Sequence, residues 1–167
     1  MKLPALMLAL CLALAIAVAG CGSSSDSSSD SSGSTSSTES SSTSKKTKPK
    51  VTVPKGISPK KYAYRDLEKG TGATAKAGDE ITVQYVGVGY DSEKEFDSSW
   101  KRNEPFSFTL GAGEVIKGWD QGVKGMKVGG RRELLIPGNL AYGPAGSPPN
   151  IGPNETLIFV IDLLGVE

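Results

Sequence analysis

The side chains in this sequence that could do chemistry are few, and one absence narrows the field at once. No histidine occurs in the 167 residues, which removes Ser-His-Asp and Cys-His nucleophile systems and all histidine metal sites. What remains is aromatic and carboxylate. Trp119 lies in "GEVIKGWDQGVKGM", residues 113–126. Glycine weakens a helix, and a helix so short is marginal by itself. The largest side chain on so poor a support is either a core residue or the floor of a binding pocket. Phe106, Phe108 and Phe159 stand on strand-like runs and could simply fill the inner face of a sheet. Asp97 precedes two serines and could cap a helix or turn. Tyr142, next to Gly143, could be a turn aromatic. Taken singly, each has a structural explanation.

The N-terminal fifth of the chain has a different character. Residues 1–20 place one lysine before a continuous apolar run ending in small residues, the layout of a secretory signal. The run is also just long enough to span a bilayer. The "VAGC" at 18–21 resembles a bacterial lipobox, and that resemblance implies a diacylglyceride on Cys21 as the new N-terminus. Cys11 would leave with the signal, so the mature domain would hold neither thiol nor disulfide and would rest on its core. Two or three acyl chains would anchor far more firmly than one, because each buried CH₂ contributes ~0.8 kcal/mol. The expected location is extracytoplasmic, lipid-anchored to a bacterial cell membrane.

Residues 22–44 are almost all Ser, with a few Thr, Gly, Asp and Glu, and cannot build a core. With the basic stretch that follows, residues 21–61 read as a disordered tether with a mean reach of roughly 30–40 Å. The lysines from Lys45 to Lys50 read as solvated. The chain carries 19 Lys+Arg against 18 Asp+Glu, and loss of Lys2 with the signal leaves it neutral. A neutral domain gives no reason to expect nucleic acid as a partner.

From Tyr62 onward the pattern is that of a folded domain. "YAYRDLEKG", "DEITVQYVGVGY", "EPFSFTLG", "RRELLIPG" and "TLIFVIDLLGV" read as strands, the last apolar enough to be central. Val115, Ile116, Trp119, Val123 and Met126 fall at helical spacing and form the only helix candidate. Gly- and Pro-rich loops join the rest. The expectation is one α+β domain, 62–167: a curved, mostly antiparallel sheet of five or six strands around one short helix.

The blocks "VQYVG", "EFDSSWKRNEPFSFTLGAGEVIKGWDQGVKGMKVGGRRELLIP" and "LAYGPAGSPPNIGPNETLIFVIDLL" together resemble the FKBP-type peptidyl-prolyl cis-trans isomerases over 62–167. The resemblance implies a pocket walled by Tyr85, Phe96, Phe106 and Phe159, entered past Val115 and Ile116 and floored by Trp119. Tyr142 and Ile151 would close one side. Asp97 would be a partly buried carboxylate beside Tyr85 and Arg102, and Tyr85, Asp97 and Tyr142 would be the catalytic groups. It implies no cofactor, proline-containing exported polypeptides as substrates, macrolides such as rapamycin or tacrolimus as ligands, and a monomer. A surface module that binds proline-containing segments without turnover would need the same cleft. Three departures lie at the rim. The Tyr85–Phe96 loop is one residue longer than the common pattern, Ser147 replaces a frequent histidine, and Asn150 replaces a frequent apolar residue.

Overall fold

The computed structural model describes residues 46–167; the signal-like segment 1–20, Cys21 and the serine-rich stretch 22–44 lie outside the described residues. In strand β2 (Glu80–Gly89) Ile81, Val83 and Tyr85 are buried while Thr82 and Gln84 are half-buried, the period of two expected of a strand with one core face. From Val86 onward β2 is buried on both sides, and β6 (Leu157–Val166) is buried on both sides over its first seven residues. Apart from Asp162, both runs consist of apolar residues and glycine on either face, which is what a central position demands.

Six strands are present among the described residues, all paired antiparallel. The remaining four are β1 (Ala63–Glu68), β3 (Glu95–Ser98), β4 (Phe106–Thr109) and β5 (Arg131–Ile136). The order is β1-β5-β6-β2-β3, with β4 sharing the β2 edge: β4 pairs Glu80–Val83 and β3 pairs Val86–Val88. Helix α1 (Ser99–Arg102) joins β3 to β4, and helix α2 (Lys117–Val123) lies against the inner face. The expected α+β architecture, a curved antiparallel sheet around a main helix, is the one observed. Strand β3 and helix α1 are additions to the sequence reading. Each has four residues, too few to display a period.

The glycines of α2 have a packing reason. Gly118 and Gly122 lie four apart and therefore on one face of the helix. A Cβ on Gly118 would fall under 3.0 Å from Ile136, and one on Gly122 would fall equally close to Leu134 and the Tyr62 hydroxyl. Tyr62 Oη also donates to Gly118 O at 3.3 Å. The helix is pressed onto β5 as closely as backbone allows, and Trp119 and Val123 thereby reach the core with Ile81, Leu134, Ile136, Ile161 and Leu163.

The last part of the expected tether lies along the domain instead of running free. Lys46 Nζ meets Glu68 at 2.8 Å and the fully buried Asp162 at 3.4 Å. Arg131 donates to Thr47 O at 2.8 Å, Lys48 pairs with Glu95 at 2.8 Å, and Thr156 Oγ1 donates to Pro59 O at 3.0 Å. Pro49, Val51 and Val53 are half-buried and alternate with exposed Lys50, Thr52 and Pro54. Composition alone marked this stretch as polar linker; the carboxylates that hold it come from distant strands.

Gly118→Ala tests the packing argument by its sign. Helix propensity alone would stabilise the protein by about 1 kcal/mol. Overpacking against Ile136 should instead destabilise it by about 1–3 kcal/mol, read as a lower urea midpoint with unchanged slope.

Candidate functional site

Strands β2, β3, β4 and β6 and the start of α2 bring aromatic rings around one cleft of about 370 Å³. Its lining is Tyr85, Phe96, Asp97, Phe106, Glu114, Val115, Ile116, Trp119, Tyr142 and Phe159. Trp119 is 4% exposed, and rings surround it on several sides. Its ring centroid lies 5.0 Å from Tyr85, 5.2 Å from Phe159 and 6.1 Å from Phe106, each close to edge-on. Phe108 supports the indole from the core side at 5.7 Å. Edge-to-face pairs add about 0.5–1.5 kcal/mol each beyond burial, so the indole has little freedom to turn. Its Nε1–H is buried without an acceptor among the described residues; the indole contributes shape and apolar surface here.

The Phe96 wall depends on an irregularity in the sheet. Gly87 pairs with Asp97 and Val88 with Glu95, leaving Phe96 as the extra residue of a bulge. A Cβ on Gly87 would fall under 3.0 Å from both the Phe96 and Phe159 rings. Those rings meet at 5.5 Å and 86° across the missing Cβ. Gly87 therefore belongs to the site although it carries no side chain. A glycine inside a strand pattern signals such a close approach, and "VQYVGVG" held that signal.

At one side of the cleft stands a polar triad. The Tyr85 hydroxyl donates to Asp97 Oδ2, and Arg102 donates to Asp97 Oδ1 and, at 2.9 Å, to the Tyr85 oxygen. The guanidinium also lies 5.7 Å from the Tyr85 ring centroid. Ser98 N donates to Asp97 Oδ1 at 2.8 Å, so Asp97 also accepts the local backbone bond expected of a turn residue. Burial, reinforced by the Asp97 hydrogen bond, pushes the Tyr85 hydroxyl up to about 12 against the pull of Arg102. Burial would raise the Asp97 carboxyl, but the hydrogen bonds from Tyr85 and Arg102 outweigh it and hold it below the usual carboxylate range. Burial, and then the Asp97 charge, raise the Tyr142 hydroxyl. The triad is a neutral phenol locked between fixed opposite charges.

Of the expected site residues, the structure gathers Tyr85, Phe96, Asp97, Phe106, Val115, Ile116, Trp119, Tyr142 and Phe159 at the cleft. Arg102 stands behind it, reaching the site through Asp97 and Tyr85. Ile151 does not line the cleft. It is 5% exposed in the core, where its backbone closes a loop on Ser147 through two hydrogen bonds. Ser147 and Asn150 are exposed in that loop. Glu114 is an unanticipated lining residue, and its carboxylate accepts from Thr109 N at 3.0 Å. The Ile116 N–H enters no hydrogen bond among the described residues, because Ile116 precedes the first helical turn. A smaller cavity of about 240 Å³ between β1 and the 125–130 turn is lined largely by charged and glycine residues. Its Asp66 and Arg132 are already bonded to each other.

Comparison with known proteins bears on the family and the fold. Residues 71–164 match the family model described as FKBP-type peptidyl-prolyl cis-trans isomerase. An FK506-binding protein of Streptomyces anulatus is 55% identical over 119 residues, covering 71% of this chain and 96% of that protein. One from Neisseria meningitidis is 50% identical over 101 residues, covering 60% of this chain and 92% of its own. The crystal structure of FkpA from Escherichia coli superposes with a TM-score of 0.58 at 46% identity, over 64% of this chain and 48% of that one. A stretch of 119 residues in a chain ending at 167 starts no later than residue 49, so the Streptomyces match reaches back at least to Pro49, ahead of the first strand.

Two outcomes follow from the geometry. Because Tyr85 stays protonated to about 12 and Asp97 stays ionised, turnover should be flat between about pH 5 and pH 9. The stability that Asp97 adds is present above its ordinary value of ~3.9 and is lost as pH falls through its lower native value. A rate that climbs with a carboxylate titration would show a proton-transfer role instead. Gly87→Ala should part the Phe96 and Phe159 rings and weaken ligand binding by about tenfold, read by titration calorimetry.

Proposed function

The chain belongs to the FKBP-type peptidyl-prolyl cis-trans isomerases, and we propose that its aromatic cleft holds the proline ring of exported polypeptides while the preceding peptide bond rotates. The activity itself, peptidyl-prolyl cis-trans isomerisation, is that of the family. The observation that carries the reading of this cleft is the nearly rigid indole of Trp119, open to a hollow ringed by Tyr85, Phe106 and Phe159.

Rotation about X–Pro must break amide resonance, a barrier of ~18–20 kcal/mol. Reaching the millisecond range from tens of seconds needs about 10⁴-fold, or ~5.5 kcal/mol. No bond to a side chain is made, so a site without histidine suffices. The planar amide is the more polar state, and in the twisted state its carbonyl oxygen carries less charge. A water-poor aromatic cleft therefore disfavours the planar form more than the twisted one. The Ile116 N–H, without a partner among the described residues, would take a substrate carbonyl and fix one side of the rotating bond. The Tyr142 hydroxyl, which also lines the cleft, would donate to the rotating region, each such bond contributing about 0.5–1.5 kcal/mol. Asp97 and Arg102 hold Tyr85 in place and neutral; they move no proton.

The signal-like segment and Cys21 support an extracytoplasmic, lipid-anchored setting, so newly exported chains with slow prolines are the fitting substrates. Macrolides such as rapamycin or tacrolimus would occupy the same cleft, with the exposed Ser147–Asn150 loop setting their affinity.

A protease-coupled assay on an Ala-Leu-Pro-Phe peptide tests the reading. Tyr142→Phe should lower kcat/KM by about 2- to 10-fold. Trp119→Leu should lower it further, with the loss mostly in substrate fit. Unchanged turnover in both variants, with native circular dichroism, would show that proline does not bind here.

A further inference from the structure

The described lysines from Lys46 to Lys61 fall into two populations. Lys46 and Lys48 are spent on Glu68, Asp162 and Glu95 and are unavailable to a partner. Asp162 alternates with the core residues Ile161 and Leu163, so the strap that Lys46 fastens crosses the face of the sheet away from α2. Lys50, Lys55, Lys60 and Lys61 are exposed, and none of them forms an ion pair among the described residues. No acidic residue occurs between Ser40 and Arg65, so the positive charge here has no counterpart in sequence either.

At the centre of these lysines the chain bends at Lys55–Ile57, with Gly56 at φ 135°. Ile57 at the bend is 93% exposed, while the next most exposed large apolar residue, Tyr64, reaches 56%. The bend is held at both ends: Lys46 and Lys48 fasten the chain before it, and Thr156 fastens Pro59 after it. It is therefore a projection held on both sides, with an apolar tip and three exposed lysines without ion pairs among the described residues within four positions of it.

We propose that the Pro54–Lys61 bend is a contact surface for an anionic lipid bilayer. Ile57 enters the boundary between headgroups and acyl chains, and Lys55, Lys60 and Lys61 meet lipid phosphates, their methylene stems following the isoleucine inward. Charge complementarity selects anionic lipid over neutral lipid. The protruding isoleucine selects a penetrable surface over an acidic protein, which would need only the lysines. The surface lies outside the aromatic cleft, and the contact is made by the domain itself, whether or not Cys21 carries lipid.

Residues 46–167 suffice for the test, since they lie within one compact unit and the Streptomyces relative consists of little beyond the matching stretch. The probe is sedimentation with vesicles of phosphatidylcholine alone or with one-third phosphatidylglycerol. Binding to the anionic vesicles is expected, with a roughly fivefold loss for each of Lys55, Lys60 and Lys61 changed to Gln. Ile57→Ser should lose about tenfold. Isomerase activity in solution should be unchanged in these variants. The proposal is overturned by absence of binding, by equal binding to both vesicle types, or by binding that Ile57→Ser leaves intact, which would indicate mere polycation attraction.

Discussion

Trp119 can stand under Tyr85, Phe106 and Phe159 only because three other positions give up their side chains. Gly118 and Gly122 let α2 touch Ile136 and Leu134, and Gly87 lets the Phe96 and Phe159 rings meet above the strand. Interiors pack at crystal-like density, so one added methyl at such a contact displaces its neighbours. Glycine costs backbone entropy in a helix or strand. That cost is met by the sheet, whose two central strands are buried on both faces over much of their length. The cleft is thus a consequence of how closely a seven-residue helix can approach a curved sheet.

The same charge chemistry serves two ends, separated by burial. Asp97 is partly exposed and shares Tyr85 with Arg102, which fixes an aromatic wall without any need for proton traffic. Asp162 is fully buried and takes two bonds from Arg131, at 2.6 Å and 2.8 Å, with Lys46 nearby. A buried carboxylate without its partners would be expensive, so the strap and the sheet stabilise each other. The segment that composition assigns to linker is in this way part of the folded unit.

Much of this was readable in the residues. The alternation of Ile81, Val83 and Tyr85 and the helical spacing around Trp119 follow from periods of two and 3.6, and the run of β6, apolar but for Asp162, is equally a local signal. The absence of histidine excluded whole classes of catalyst before any coordinates. The ordered blocks carried the family, and with it most of the cleft. Gly87 was legible in principle, as a glycine inside a strand.

What the sequence could not decide is what depends on partners far along the chain. Ile151 resembled a cleft residue but turns into the core, because its loop closes on Ser147. Glu114 reaches the cleft rim through a bond to the Thr109 backbone. Lys46 and Lys50 are identical in type and close in sequence, yet one is committed to Asp162 and the other faces solvent. A side chain's period can be read from its neighbours; its counter-charge and its opening to solvent are set by strands dozens of residues away, and only folding brings those within reach.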